Sequence, residues 1–130
     1  MYDVVWHIPG KVIKLEYAGK LGLEEVSESN ERIKNDFLKG RIGPVHIIAN
    51  FDGVTGFPNR ISDLKKAMDV WAKDDETNVG WIVVIGINSP VLNFLVAMLT
   101  QLTKVNMKTE TSIENAMQVL RRADLTMTSS

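Results

Sequence analysis

The sequence predicts an α/β fold: a mixed β-sheet with an N-terminal β-hairpin and about four packed helices, in the order β-β-α-β-α-β-α-β-α. Three observations lead there. Tyr2 to Ile8 and Ile13 to Ala18 alternate apolar and polar residues on either side of Pro9-Gly10, the pattern of two half-buried strands joined by a turn. Val45 to Phe51 and Val79 to Gly86 are instead almost continuously apolar and rich in β-branched residues, which suits parallel strands covered on both faces. Between and after these runs the apolar residues recur at helical spacing.

In the hairpin, Tyr2, Val4, Trp6 and Ile8 share one side and Asp3, Val5 and His7 the other. Ile13, Leu15 and Tyr17 then alternate with Lys14, Glu16 and Ala18. The polar side is expected to meet water. From Gly22 the period changes, with Leu23, Val26, Ile33 and Phe37 on one helical face, Glu24 and Glu25 in the dipole-favoured first turn, and Lys39-Gly40 as the stop. After the strand from Val45, a loop is expected to run from Asn50 to Arg60. Ile61, Leu64, Met68 and Trp71 make a second helix ending near Lys73. A central parallel strand, Val79 to Gly86, leads to Ser89 as cap and Pro90 as first residue of a third helix. A short strand falls near Lys104 to Thr109, and Thr111 with Glu114 reads as the capping box of a last helix bearing Ile113, Ala116, Met117 and Leu120. The expectation is one domain over residues 1–123 and a flexible tail over 124–130.

The 130 residues, 45% hydrophobic and 24% charged with a formal net charge of -1, suit one globular domain and point away from disorder and from a nucleic-acid-binding field. Cysteine is absent, which removes disulfides, thiolate ligands and cysteine nucleophiles. The two histidines, His7 and His46, stand apart in strand-like runs, so no metal framework and no cofactor is expected. MYDVVWHIPG does not read as a signal peptide, and the expected location is cytoplasmic. No serine has a neighbouring histidine with an acidic orienter, and the glycines do not form a phosphate loop, so no enzyme is expected.

Ligands and partners of such sheets gather beyond the carboxyl ends of the parallel strands, here Asn50 to Arg60 and Ile87 to Ser89. Asn50, Asp52, Asn59 and Arg60 crowd this end beside a helix start able to hold an anion, and Ser62 is a nearby hydroxyl. The simpler reading makes Asp52 and Asn59 turn and cap residues.

The run IIANFDGVTGFPNRIS and the order of elements resemble a STAS domain of the SpoIIAA-like, anti-sigma factor antagonist-like kind, over nearly the whole chain. The motif that carries the resemblance is the apolar strand followed by Phe51-Asp52-Gly53-Val54-Thr55. The resemblance implies a non-catalytic, regulatory protein-interaction module that docks through the segment from Asp52 to Ser62 and the second helix. It also implies a phosphorylatable hydroxyl at the start of that helix, and here the chain departs from the pattern. Pro58-Asn59-Arg60-Ile61 stands in its place, leaving Thr55 and Ser62 as the nearest hydroxyls. The alternative is a small-molecule or lipid carrier of the SpoIIAA/Sec14-like fold, with a small apolar ligand.

In the third helix, Val91, Phe94, Leu95, Met98 and Leu102 make one face, and Leu92, Val96 and Leu99 widen the apolar arc to about 200°. At about 14 residues it is short of the ~20 needed to span a bilayer. Leu92, Val96 and Leu99 are therefore covered either by a neighbouring helix or by another molecule, a homodimer being the preferred reading.

Overall fold

The computed structural model describes residues 1–40, 44–56, 79–87, 93, 97 and 106–124. Five strands form one mixed sheet in chain order: β1 (Tyr2–Ile8), β2 (Val12–Lys20), β3 (Val45–Gly56), β4 (Val79–Ile85) and β5 (Asn106–Thr109). The first two pair antiparallel, and every later neighbour pairs parallel. The hairpin thus forms one side of an otherwise parallel sheet, as expected from the two periodicities.

Both faces are covered where the sequence is continuously apolar. On one face Val4, Ile13, Leu15, Ile47, Ala49, Ile82 and Val84 pack with Val26, Ile33 and Leu38. On the other, Val12, Ile48, Val83 and Ile85 pack with Ala116, Met117 and Leu120. Successive residues of β3 and β4 consequently enter opposite cores, which is why neither strand can afford alternation.

Helix α1 (Leu23–Arg32) continues directly into a π-helical turn, Ile33–Leu38, before Lys39 turns extended and Gly40 takes φ +78°. Regular α-winding would set Leu38 about 140° around from Ile33. Bonding i to i+5 instead brings both over the same core, where Ile33 and Leu38 are fully buried and Phe37 meets the Trp6 ring at 5.3 Å.

Beneath α1, the Tyr17 hydroxyl lies 2.5 Å from Ser29 Oγ, and Ser29 donates to the Val26 carbonyl at 2.9 Å. Since the serine proton is committed to Val26, Tyr17 is the donor. Burial pushes the Tyr17 hydroxyl up to about 12 from an ordinary 10.0, partly offset by the Ser29 hydrogen bond. The unfolded chain therefore releases this proton first. The resulting stabilisation is complete below pH 10 and disappears as pH climbs through about 12, amounting to roughly 2–3 kcal/mol. Tyr17→Phe should cost about 1 kcal/mol near neutral pH and should flatten the alkaline loss, as read from urea midpoints on either side of pH 10. A steep loss persisting in this variant would assign the effect elsewhere.

Three expectations are corrected. The Asn50–Arg60 segment is not all loop: β3 runs on to Gly56 because β2 itself reaches Lys20 and supplies partners, Ala18 to Gly53, Gly19 to Val54 and Lys20 to Gly56. The register shifts once just before that stretch, between Glu16 and Ala18, and once within it, between Gly19 and Lys20. The cap of α2 (Ile113–Ala123) is Ser112 rather than Thr111, its hydroxyl accepting from Asn115 N at 3.1 Å. Thr111 accepts from the Asn115 side chain at 2.7 Å. Finally, Asp124 is no part of a loose tail, being buried against the sheet. Of the four expected helices, the first and last are described in full. Asn93 and Ala97 are helical and exposed within the third. The second, and the rest of the third, lie outside the described residues.

Candidate functional site

At the carboxyl end of β4, Gly86 takes φ +78°, a left-handed turn that side chains with a Cβ seldom adopt. Space requires glycine there as well. A Cβ on Gly86 would fall 2.5 Å from Asp52 N and 2.8 Å from both Asn50 Oδ1 and Asp52 Oδ1. The backbone of Gly86 is thus pressed against the two polar residues that the sequence singles out.

Asn50 pairs with Ile85 in the last rung shared by β3 and β4, after which β3 continues alone on that side among the described residues. The Asn50 side-chain oxygen accepts from Asp52 N at 2.9 Å, so the residue serves its own backbone in the manner of an Asx turn. Asp52 is exposed beside it. On the opposite face Phe51 packs on Tyr17 with ring centroids 5.3 Å apart, which anchors the polar pair to the core. The arrangement presents an ordered amide beside an exposed carboxylate on a strand, suited to hydrogen bonding and charge recognition. Asn50 and Asp52 come together as expected. Asn59, Arg60 and Ser62 lie outside the described residues, as do Leu92, Val96 and Leu99. Thr55 is exposed on the extension of β3.

A second polar constellation went unread in the sequence. His46, 2% exposed, accepts from Trp81 N at Nδ1 (2.9 Å) and meets Asp124 Oδ2 with Nε2 at 2.8 Å. An amide can only donate, so the ring proton sits on Nε2 and points at the carboxylate. Gly80 makes room, since a Cβ there would lie 2.5 Å from the ring atoms Nδ1 and Cε1. A glycine inside an apolar strand marks a close approach, and Gly80 was the one available signal. His46 and Asn50 are four residues apart on β3, about 13 Å, so this pair stands away from the polar end. It pins the end of α2 to the sheet.

Among the described residues, no group of three or more His, Asp or Glu side chains is placed to hold a metal ion, and no helix is long and apolar enough to cross a membrane.

No protein-family profile matches the chain, and no curated protein does. Solved structures do match. An uncharacterised DUF3478-family protein with a SpoIIAA-like fold from Shewanella loihica PV-4 aligns with TM-score 0.63 at 15% identity, over 92% of each chain. The unphosphorylated anti-sigma factor antagonist SpoIIAA aligns with TM-score 0.57 at 13% identity, over 93% of this chain and 98% of its own. The murine Solute Carrier 26 family member A9 anion transporter aligns with TM-score 0.61 at 18% identity, over 92% of this chain but only 19% of the transporter. At such identities the likeness concerns the fold. Together with the hairpin, the parallel strands and the two-faced core, it gives the chain a STAS-like, SpoIIAA-like fold.

Proposed function

We propose that this chain is a non-catalytic regulatory module of the cytoplasm that works by docking another protein at the carboxyl ends of β3 and β4. The observation that carries the reading is the seating of Asn50 and the Asp52 backbone against Gly86, with the Asn50 amide held by Asp52 N and the Asp52 carboxylate exposed at the strand end. A polar surface that is partly ordered in advance favours recognition, because the Asn50 side chain loses little entropy when a partner binds. The neighbours support it, one of them being named an anti-sigma factor antagonist, a protein that acts on another protein. The proposed binding residues include Asn59, Arg60 and Ser62, and without a hydroxyl in Pro58-Asn59-Arg60-Ile61 the module works without the usual serine phosphoswitch. Catalysis is disfavoured by the two histidines, one exposed and one enclosed in bonds to Trp81 and Asp124.

Asp52→Lys is the test, since Asp52 is exposed and its replacement leaves the cores untouched. A protein retained from native extract by the wild type should bind the variant at least about tenfold more weakly. Equal retention by both would exclude this end of the sheet. A stoichiometric small molecule in the native mass spectrum would favour the carrier instead.

A further inference from the structure

β2 and β3 fall out of step beside the polar end of the sheet. Glu16 pairs with Asn50 and Ala18 with Gly53, so between these rungs β2 contributes one residue, Tyr17, and β3 contributes two, Phe51 and Asp52. Two residues opposite one form a β-bulge, which bends the strand and re-aims a side chain, here the exposed carboxylate of Asp52. The regular ladder is interrupted at this point, and side chains take up the hold. The Phe51 ring lies against that of Tyr17 at 5.3 Å, with the planes tilted by 57°.

Tyr17 is held in turn from α1. Its side chain is buried, and its hydroxyl bonds to Ser29, which is 0% exposed and is itself fixed on the Val26 carbonyl of the same helix. The ring that backs the bulge is thus clamped at its tip by a helix.

We infer that Tyr17 and Ser29 are positioning residues for the docking end: the contacts running from Ser29 through Tyr17 to Phe51 couple α1 to the bulge and set the aim of Asp52. The consequence for binding rests on the docking reading, whereas the coupling itself is testable without a partner. A coupling free energy is reciprocal, so a partner seated at Asp52 also steadies α1 around Ser29.

The Asp52 amide, bonded to Asn50 Oδ1, reports the order of the bulge through its hydrogen exchange. Tyr17→Phe keeps the ring and removes its bond to Ser29, and should speed exchange at Asp52 about fivefold under native conditions, the factor that one hydrogen bond is worth. Ile82→Val trims the same core at the Ile47 rung, away from the bulge, and should leave exchange at Asp52 unchanged, which separates positioning from a general loss of stability. Ser29→Ala takes away the partner of the buried Tyr17 hydroxyl and should exceed Tyr17→Phe, while the double variant should fall back to the level of Tyr17→Phe alone. The protein that Asp52→Lys loses should be held about threefold more weakly by Tyr17→Phe. Exchange at Asp52 that rises equally in Tyr17→Phe and Ile82→Val, or in neither, overturns the inference. Full retention by Tyr17→Phe where Asp52→Lys loses the partner overturns it as well, whereas full retention by both overturns the docking reading and leaves the coupling to the exchange result.

Discussion

Replacing His46 by alanine is expected to destabilise the protein by about 3–5 kcal/mol, a large part of the 5–15 kcal/mol typical of a domain. The imidazole bridges Trp81 N and the Asp124 carboxylate in the sheet–helix contact, where His46 and Asp124 are buried and Trp81 is partly buried. Its removal strands the Trp81 amide proton and takes a buried hydrogen bond from the Asp124 carboxylate, groups that water serves in the unfolded chain. The double variant His46→Leu with Asp124→Leu should recover part of the loss, because the buried carboxylate is removed together with its imidazole partner. Urea unfolding followed by tryptophan fluorescence measures both. Equal losses in the single and double variants would mean that packing around the ring, rather than the paired polar groups, sets the cost.

At Gly86 the expected effect joins stability to binding. Gly86→Val puts a β-branched residue at φ +78° and drives its Cβ to within 2.5 Å of Asp52 N. Left-handed strain contributes about 1–2 kcal/mol and overpacking about 1–3 kcal/mol, so a loss of roughly 3 kcal/mol is expected. Whichever side gives way, the clash disturbs the contact of Gly86 with Asn50 and Asp52, the proposed docking residues. Gly86→Val should therefore lose the partner that Asp52→Lys loses, even under conditions where it remains folded. If the folded variant bound normally, the seating of Asp52 against Gly86 would be irrelevant to docking.

Much of the architecture is legible from the residues. Alternation in Tyr2 to Ile8 and Ile13 to Tyr17 identifies the half-buried strands and their inward side, with Val4 and Leu15 buried and Asp3 and Val5 exposed. The unbroken runs in β3 and β4 identify strands covered twice. Asn50 and Asp52 are legible as a polar pair because they follow such a run directly. The lengthening of β3 to Gly56 is not legible. Its glycines carry a turn signal, and only the presence of β2 through Lys20 turns that stretch into ladder. The π-turn is hidden for a related reason: Leu38 has no face assigned by α-helical periodicity until the core beneath Ile33 claims it.

By itself, then, the sequence determined the α/β class, the hairpin followed by parallel strands, the STAS-like resemblance and the place of Asn50 and Asp52. These rest on local periodicity and on neighbouring residues, which the chain carries within a few positions. Only the tertiary structure decided that His46 meets Asp124, 78 positions away, that Gly80 admits the ring, and that Gly86 presses on Asp52. Such contacts depend on which strands lie side by side, and no local pattern encodes the partner of a buried polar group.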